Sequence, residues 1–251
     1  MRHDPLHRVA VLTRHNTILR LRDPGHLISY LVMPMALMLV LKPLYGGSMT
    51  EGPTQAVTGM LVMFSVLSLS IVGTATLSER TWHTWDRLRA TPARPIELLA
   101  GKAIPVFVIL AVQQAILLAF GSAVVGMPVT GPVLLLAMAV AVWGFALLAI
   151  GTAVAALVRS QGELSAVCDV GAMAVSTLGG AFVPVAMMPP WAQAIAPASP
   201  GYWAVSMLQA AVRGDVAATL RPAGILAALG VVAGTAACVA LSRGWGRSRL
   251  L

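Results

Sequence analysis

The residue types best suited to chemistry concentrate in one short stretch, residues 79–102, which reads ERTWHTWDRLRATPARPIELLAGK. It holds eight charged residues and two tryptophans, whereas only 10% of the whole chain is charged. Aromatic and arginine side chains dominate protein–protein interfaces. This mixture therefore favours a docking surface over a catalytic centre.

The sequence contains no pattern for nucleotide hydrolysis, ester hydrolysis or metal binding. Gly101-Lys102 lacks the upstream glycine of a Walker A loop, and Ala103 follows where Ser or Thr is required. The patterns H-E-x-x-H and G-x-S-x-G do not occur in the sequence, and the two cysteines have no metal-ligand spacing. We therefore expect a chain that is not an enzyme and binds no metal or cofactor of its own.

The charged stretch is expected to form a helix of its own. A helix over 77–91 would end at Pro92, because proline cannot continue the hydrogen-bond ladder. Trp82, Trp85 and Leu88 are spaced by three residues and share one face of that helix. The helix is either a rod that docks a partner or an interfacial helix whose tryptophans anchor in lipid headgroups, and the spacing leaves both open.

The elements that must position this stretch are long apolar runs. Hydrophobic residues make up 58% of the chain. A bilayer span needs about 20 apolar residues in a row, and helices satisfy their own backbone groups in lipid. The sequence predicts an all-α membrane protein with six transmembrane helices, at about 26–44, 56–77, 103–126, 132–157, 164–188 and 223–242.

The basic residues fall mostly on one side of this arrangement. Of the 17 lysines and arginines, only Lys42, Arg213 and Arg221 fall on the opposite side. Because positively charged loops stay in the cytoplasm, both termini are predicted to be cytoplasmic. The net charge of +8 is then a signal of topology and of contact with anionic lipid, and it does not indicate a nucleic-acid partner.

Three segments lie outside the predicted spans. Residues 1–25 are expected to be a cytoplasmic interfacial segment with a helix over 7–22, and a solvated basic tail is the alternative. Residues 78–102 form the charged cytoplasmic loop. Residues 189–222 are broken by prolines and predict two short re-entrant helices on the outer side, with Ser199 as an N-cap and Gly214 as a helix stop.

Polar residues inside the predicted spans are few. Asp169 is the only acidic residue well inside one of them, and intramembrane carboxylates are candidates for function. The alternative is structural, either a carboxylate near the positive N-terminal end of its helix or a pair with Arg159. Gln113 and Gln114 are expected to form hydrogen bonds between helices.

Three stretches resemble ABC-2 type exporter permeases, a family that includes bacterial drug-resistance and antibiotic-export permeases. Residues 79–102 are similar to the family's loop between spans 2 and 3, and His83 stands where that loop usually has glycine. Residues 19–34, LRLRDPGHLISYLVMP, resemble its Arg-Asp-Pro approach to span 1, and residues 179–200, GGAFVPVAMMPPWAQAIAPASP, resemble its Gly-x-x-x-Pro exit from span 5. The loop matches are Glu79-Arg80, Thr84, Leu88-Arg89, Thr91-Pro92 and Gly101-Lys102.

The resemblance implies a type V exporter-like fold with residues 1–251 as a single ABC-2 transmembrane domain. It implies two permease chains, as a homodimer or with a paralogue, and separate ATPase subunits that hold ATP and magnesium. The implied function is ATP-driven export of a hydrophobic or amphipathic compound (drug, antibiotic, secondary metabolite or lipid) across the bacterial inner membrane. A stand-alone secondary transporter or an intramembrane scaffold is the alternative, and the compound itself stays open.

The resemblance also implies candidate residues. The ATPase-coupling candidates are Glu79, Arg80, Trp82, Trp85, Asp86, Arg87, Leu88 and Arg89. The N-terminal interfacial candidates are Arg20, Arg22, Asp23 and Pro24. Spans 2 and 5 would meet at the dimer seam, and the pathway candidates there are Met60, Met63, Phe64, Leu67, Asp169, Met173, Thr177, Gly180 and Phe182.

Overall fold

The computed structural model of the chain is helical throughout its described part. The described residues are 10–11, 13–14, 16–18, 25–48, 51–70, 72–74, 77 and 95–242. Within these ranges every regular element is a helix, which confirms the predicted all-α fold. The α-helices are α1 Gly25–Ser48, α2 Gly52–Leu67, α3 Pro95–Phe120, α4 Val133–Leu157, α5 Gln161–Leu178, α6 Pro190–Ile195, α7 Pro200–Arg213 and α8 Val216–Ser242.

Five helical stretches of the described part are long and apolar enough to cross a membrane. They correspond to five of the six predicted spans. The stretch that contains α3 continues through a π-helical turn at Gly121–Val125. The five are Ile28–Gly46, Gly52–Thr74, Ala103–Val125, Val133–Leu157 and Val216–Ala240.

The fifth predicted span, 164–188, differs from the helix in the structure. α5 ends at Leu178, well before the predicted boundary, and it is not among the five stretches above. Gly180 has a left-handed φ of +82°, a conformation that stops a helix. The Ala181 N–H then donates to the Ser176 carbonyl at 2.9 Å, which satisfies one of the last helical acceptors.

The last span also begins earlier than expected. α8 starts at Val216, so residues 216–222 are helical and do not belong to an irregular outer loop. Asp215 caps this start, because its Oδ1 accepts a hydrogen bond from the Ala218 N–H at 2.9 Å. Pro222 lies inside the helix and does not mark its beginning.

The segment between α5 and α8 contains the two short helices that the sequence predicts, α6 and α7. The Ser199 Oγ accepts from the Gly201 N–H at 3.2 Å and caps α7. Gly214 ends α7 with a left-handed φ of +80°. Both local predictions are confirmed, while the re-entrant placement of the two helices stays a prediction.

The core of the fold lies around α2. The apolar window of its span is 82% buried, against 17% for the window of α1 and 22% for that of α8. α2 contacts α1, α3, α5 and α7, and α8 packs along α4 and α7. A helix enclosed in this way sets the positions of its neighbours, α5 among them.

Candidate functional site

The C-terminal end of α5 is held by a cluster of polar side chains that we call the clasp. It consists of the side chains of Gln55, Thr58 and Gln209 and the carbonyls of Gly180 and Ala181. Gln55 Nε2 donates to the Gly180 carbonyl at 2.6 Å and more weakly to the Ala181 carbonyl at 3.4 Å. Gln209 Nε2 donates to Gln55 Oε1 at 2.7 Å and to Thr58 Oγ1 at 3.3 Å. The clasp thus links α2, α7 and the turn after α5, with Gln55 and Thr58 buried and Gln209 half-buried.

Small residues allow the close approach that the clasp requires. A Cβ at Gly59 would overlap the Ala181 carbonyl oxygen, so α2 can meet the turn only with glycine there. A Cβ at Gly201 would likewise overlap the Val175 carbonyl oxygen, to which the Ser199 Oγ donates at 2.9 Å. Close helix contacts through small residues are typical of membrane proteins.

The C-terminal end of α2 and the residue after it, Ser68, make further polar contacts with neighbouring helices. Trp143 Nε1 of α4 donates to Ser65 Oγ at 2.8 Å. Gln113 of α3 accepts from Ser68 Oγ at 3.2 Å and donates to the Tyr30 carbonyl of α1 at 3.2 Å. The prediction of an interhelical hydrogen bond is therefore confirmed for Gln113. Gln114, by contrast, is fully buried and has no partner for its side-chain amide within the described ranges.

α5 presents two different faces. Leu164, Cys168, Ala172 and Ser176 recur every four residues and are buried, as expected of the side that packs on α2 and α7. The opposite side, which we call the exposed face of α5, consists of Ala166, Asp169, Val170, Met173 and Thr177. Val170 is 70% exposed and Met173 59% exposed, so this face has no cover within the described part of the chain.

The Asp169 carboxylate lies on that exposed face. No hydrogen bond or ion pair reaches it from any residue that the structure describes. It also plays no part in capping α5, since Ser160 Oγ accepts from the Glu163 N–H at 3.1 Å. The Glu163 carboxylate accepts from the Arg159 N–H at 2.8 Å and completes that cap.

The structure divides the pathway candidates between the core and the surface. Met60 and Phe64 of α2 are buried in the core, and Met63 and Leu67 pack half-buried against it. Gly180 is buried at the clasp, and Phe182 is half-buried beside it. Asp169, Met173 and Thr177 come together on the exposed face of α5.

The other candidates lie outside the described residues. This applies to the predicted helix over 77–91, apart from residue 77 itself. It also applies to every coupling and N-terminal candidate, namely Glu79, Arg80, Trp82, Trp85, Asp86, Arg87, Leu88, Arg89, Arg20, Arg22, Asp23 and Pro24.

Charged groups also meet at the end of the bundle near the clasp. Arg213 at the end of α7 pairs with Glu51 at the start of α2, at 2.8 Å. Lys42 Nζ donates to the Val124 carbonyl at 2.8 Å. A cavity of about 270 Å³ lies beside the ion pair, lined by Glu51, Pro53, Thr54, Pro128, Thr130 and Arg213. Lys42 and Arg213, two of the three basic residues predicted on the outer side, thus lie at one end of the bundle.

Sequence reasoning missed Gln55 and Gln209. Gln55 lies just before the predicted boundary of span 2 at residue 56, and Gln209 lies in the segment predicted to form short re-entrant helices. Both are amide side chains in otherwise apolar sequence. Because polar groups buried in lipid need hydrogen-bond partners, these amides could have been identified as candidates for contacts between helices.

Comparison with known proteins places the chain in a family. Residues 7–212 match the family model described as ABC-2 type transporter. The chain is 27% identical over 138 residues to the probable multidrug ABC transporter permease YbhR of Escherichia coli (strain K12), covering 55% of the chain and 38% of the relative. It is 28% identical over 147 residues to the inner membrane transport permease YhhJ of the same organism, covering 58% of the chain and 39% of the relative. The chain thus covers less than half of the length of these curated relatives. The family model, however, extends over most of the chain, and the chain belongs to the ABC-2 type transporter family.

Proposed function

We propose that the chain is the membrane-spanning permease subunit of an ATP-driven exporter of hydrophobic or amphipathic compounds. The observation that carries this proposal is the match of residues 7–212 to the ABC-2 type transporter family. The five apolar helices support it, because a permease must build its pathway from spans that lipid tolerates. The relatives YbhR, a probable multidrug ABC transporter permease, and YhhJ, an inner membrane transport permease, favour a small-molecule exporter in a bacterial inner membrane.

A separate ATPase subunit supplies the energy in this proposal. The sequence has no Walker A loop, so ATP and magnesium are held by that partner. Residues 79–89 combine the tryptophans and arginines that suit a docking surface. They follow α2 in the chain, so a movement imposed on them is transmitted to the helix at the centre of the fold.

The proposed topology has six spans, with α5 as the fifth and both termini in the cytoplasm. An 18-residue helix is about 27 Å long, close to the roughly 30 Å hydrocarbon core of a bilayer. The contacts of Lys42 and Arg213 at one end of the bundle support an outer side that is poor in basic residues. Residues 189–222 then lie in the outer leaflet, although α8 begins within that range.

In this proposal transport occurs by alternating access. The pathway lies between two copies of the permease, either identical or paralogous, and opens to one side of the membrane at a time. ATP binding in the partner subunit stabilises one arrangement of the spans more than the other, which is the requirement for driving a conformational change. The exposed face of α5 contributes to the pathway, and the buried residues of α2 hold α5 in place.

Native mass spectrometry of the tagged chain, extracted from its own membrane in mild detergent, tests the complex. We expect two permease chains together with a stoichiometric partner that carries Walker motifs. A chain that is always alone, under conditions that keep another ABC complex intact, would contradict the proposal.

A double substitution tests the coupling role of residues 79–89. We expect Trp85→Glu with Leu88→Glu to abolish transport, or to remove the ATPase from the purified complex, because two charges enter the proposed apolar contact. Trp191→Glu is the matched control, since that tryptophan is 65% exposed in the segment assigned to the outer side. Transport at the wild-type level in the double variant would refute the docking role.

A further inference from the structure

The exposed face of α5 is an unfavourable surface for contact with lipid. α5 is less apolar than the five span candidates, and it carries Glu163 and Asp169 within 18 residues. The Asp169 carboxylate lies eight residues after the first residue of α5, about 12 Å along the axis. A carboxylate at that depth is costly in hydrocarbon, so membrane proteins turn such groups toward protein or a hydrated cavity.

Among the residues that the structure describes, none gives Asp169 a structural role. The first turn of α5 is capped by Ser160 and Glu163, and the helix dipole acts mainly on charges in that turn. Arg159 lies before the first residue of α5, so its backbone is at least about 12 Å from that of Asp169 along the helix axis. At this separation the two side chains do not form a direct ion pair. The basic side chains described in α1, α7 and α8 are Lys42, Arg213 and Arg221. They lie near the end of the bundle that is opposite to the start of α5.

The surroundings of Asp169 define what could bind there. Val170 and Met173 offer large exposed apolar surfaces next to the carboxylate, and Thr177 adds a hydroxyl two turns further along α5. No group of three His, Cys, Asp or Glu side chains that could hold a metal ion occurs among the described residues. A small inorganic cation would therefore lack the oxygen ligands that it requires. An organic cation with an apolar body, by contrast, could pair its positive charge with the Asp169 carboxylate and pack its apolar part on Val170 and Met173.

A second copy of the chain strengthens the negative charge at this position and does not neutralise it. In a two-fold symmetric pair both copies present the same surface, so an α5 seam would bring a second Asp169 to the interface. Two carboxylates at close range repel each other, and a positive group between them would remove that repulsion.

From these observations we propose that Asp169 is a specificity-determining residue of the pathway, and that the substrate class is an organic cation with an apolar body. The inference rests on the proposed permease function, and it narrows "hydrophobic or amphipathic compound" to one charge class. The carboxylate recognises the positive centre, while Val170 and Met173 contact the apolar part.

A pair of probes with the same shape and opposite charge tests this proposal. Tetraphenylphosphonium and tetraphenylborate would be titrated onto the purified complex in nanodiscs of zwitterionic lipid, and protein-free nanodiscs give the baseline. We expect Asp169→Asn to weaken phosphonium binding roughly tenfold or more, since even a partly screened ion pair at about 4 Å is worth that much. Binding of the borate is expected to stay the same or become tighter, and Asp169→Glu is expected to keep the preference for the phosphonium.

The matched control is Asp215→Asn. It removes the same charge from another exposed aspartate and keeps an N-cap residue at the start of α8. We expect both probes to bind this variant as they bind the wild type. A loss of phosphonium binding in Asp215→Asn as large as in Asp169→Asn would overturn the proposal, because net charge alone would then explain the effect.

Two further outcomes would overturn the proposal. One is equal affinity of the wild type for the two probes, a measurement that needs no variant. The other is an Asp169→Asn protein that separates into single permease copies and keeps its charge discrimination, which would make the face an interface only. Failure of this inference and failure of the exporter proposal give different results. If the chain has no ATPase partner but still prefers the phosphonium through Asp169, only the ATP-driven function is contradicted.

Discussion

α2 and α5 pack against each other, yet they differ in whether their polar side chains have hydrogen-bond partners. Gln55 and Ser65 on α2, and Ser68 directly after it, each have a hydrogen-bond partner on another helix or turn. On α5, neither the buried Ser176 hydroxyl nor the outward-facing Asp169 carboxylate has a hydrogen-bond partner in the described part of the chain. α2 is therefore a framework element, whereas α5 combines a packed face with an exposed face, the one proposed to contact substrate. Substitutions in α2 should change stability, and those on the exposed face of α5 should change transport.

The largest expected effect is at Gly59. Gly59→Ala would place a methyl group against the Ala181 carbonyl oxygen, and overpacking of this kind costs roughly 3 kcal/mol. Gly171→Ala in α5 is the matched control, because a Cβ there meets nothing within 4 Å. We expect that control to be neutral or to stabilise by about 0.5 kcal/mol, since alanine favours helix over glycine. Thermal unfolding of both variants in detergent measures the difference, and equal stability of the two would contradict the close packing at Gly59.

A smaller effect is expected from removal of the clasp. Gln55→Ala removes the donor to the Gly180 carbonyl and leaves Gln209 Nε2 with only its longer bond to Thr58 Oγ1 at 3.3 Å. We expect this loss to cost about 2 kcal/mol. Gln193→Ala is the control, because its amide donates to carbonyls in an exposed turn. If the two variants unfold at the same temperature, the clasp contributes nothing to stability.

The helix ends that depend only on residues close in sequence were predicted correctly. Ser199 and Gly214 were identified as a cap and a stop because capping involves only a few residues on either side. The end of α5 was predicted wrongly because residues 179–188 continue an apolar run. The turn at Gly180 is stabilised instead by Gln55 and Gln209, which are distant in sequence.

The pathway candidates show why hydrophobicity alone could not locate the site. In a membrane protein the faces toward lipid and toward other helices are both apolar, so the pattern does not reveal which face of α2 is enclosed. Met60 and Phe64 are therefore pathway candidates in the sequence, although the structure buries both in the core. Asp169 was identified because an isolated charge within an apolar run is an unambiguous signal in sequence.

A still smaller effect is expected at the end of the bundle near the clasp. Glu51→Gln removes the ion pair with Arg213, in which both side chains are about half exposed. We expect a loss of about 0.5 kcal/mol at low salt. The difference from the wild type should vanish near 1 M salt, where the Debye length falls to about 3 Å. A loss that high salt does not reduce would mean that another subunit covers this pair in the assembled complex.

The smallest effect on stability is expected on the exposed face of α5, and there the contrast between the two helices becomes sharpest. Met173 is 59% exposed, so Met173→Ala should change the unfolding free energy by less than about 0.5 kcal/mol. Binding of tetraphenylphosphonium should nevertheless weaken severalfold, because the side chain supplies apolar contact beside Asp169. Met60→Ala is the natural opposite, since Met60 is fully buried in α2 and its truncation should cost about 2 kcal/mol or more. If Met173→Ala destabilises the complex as strongly as Met60→Ala does, the face is buried against protein in the assembly, and the division of roles between α2 and α5 fails.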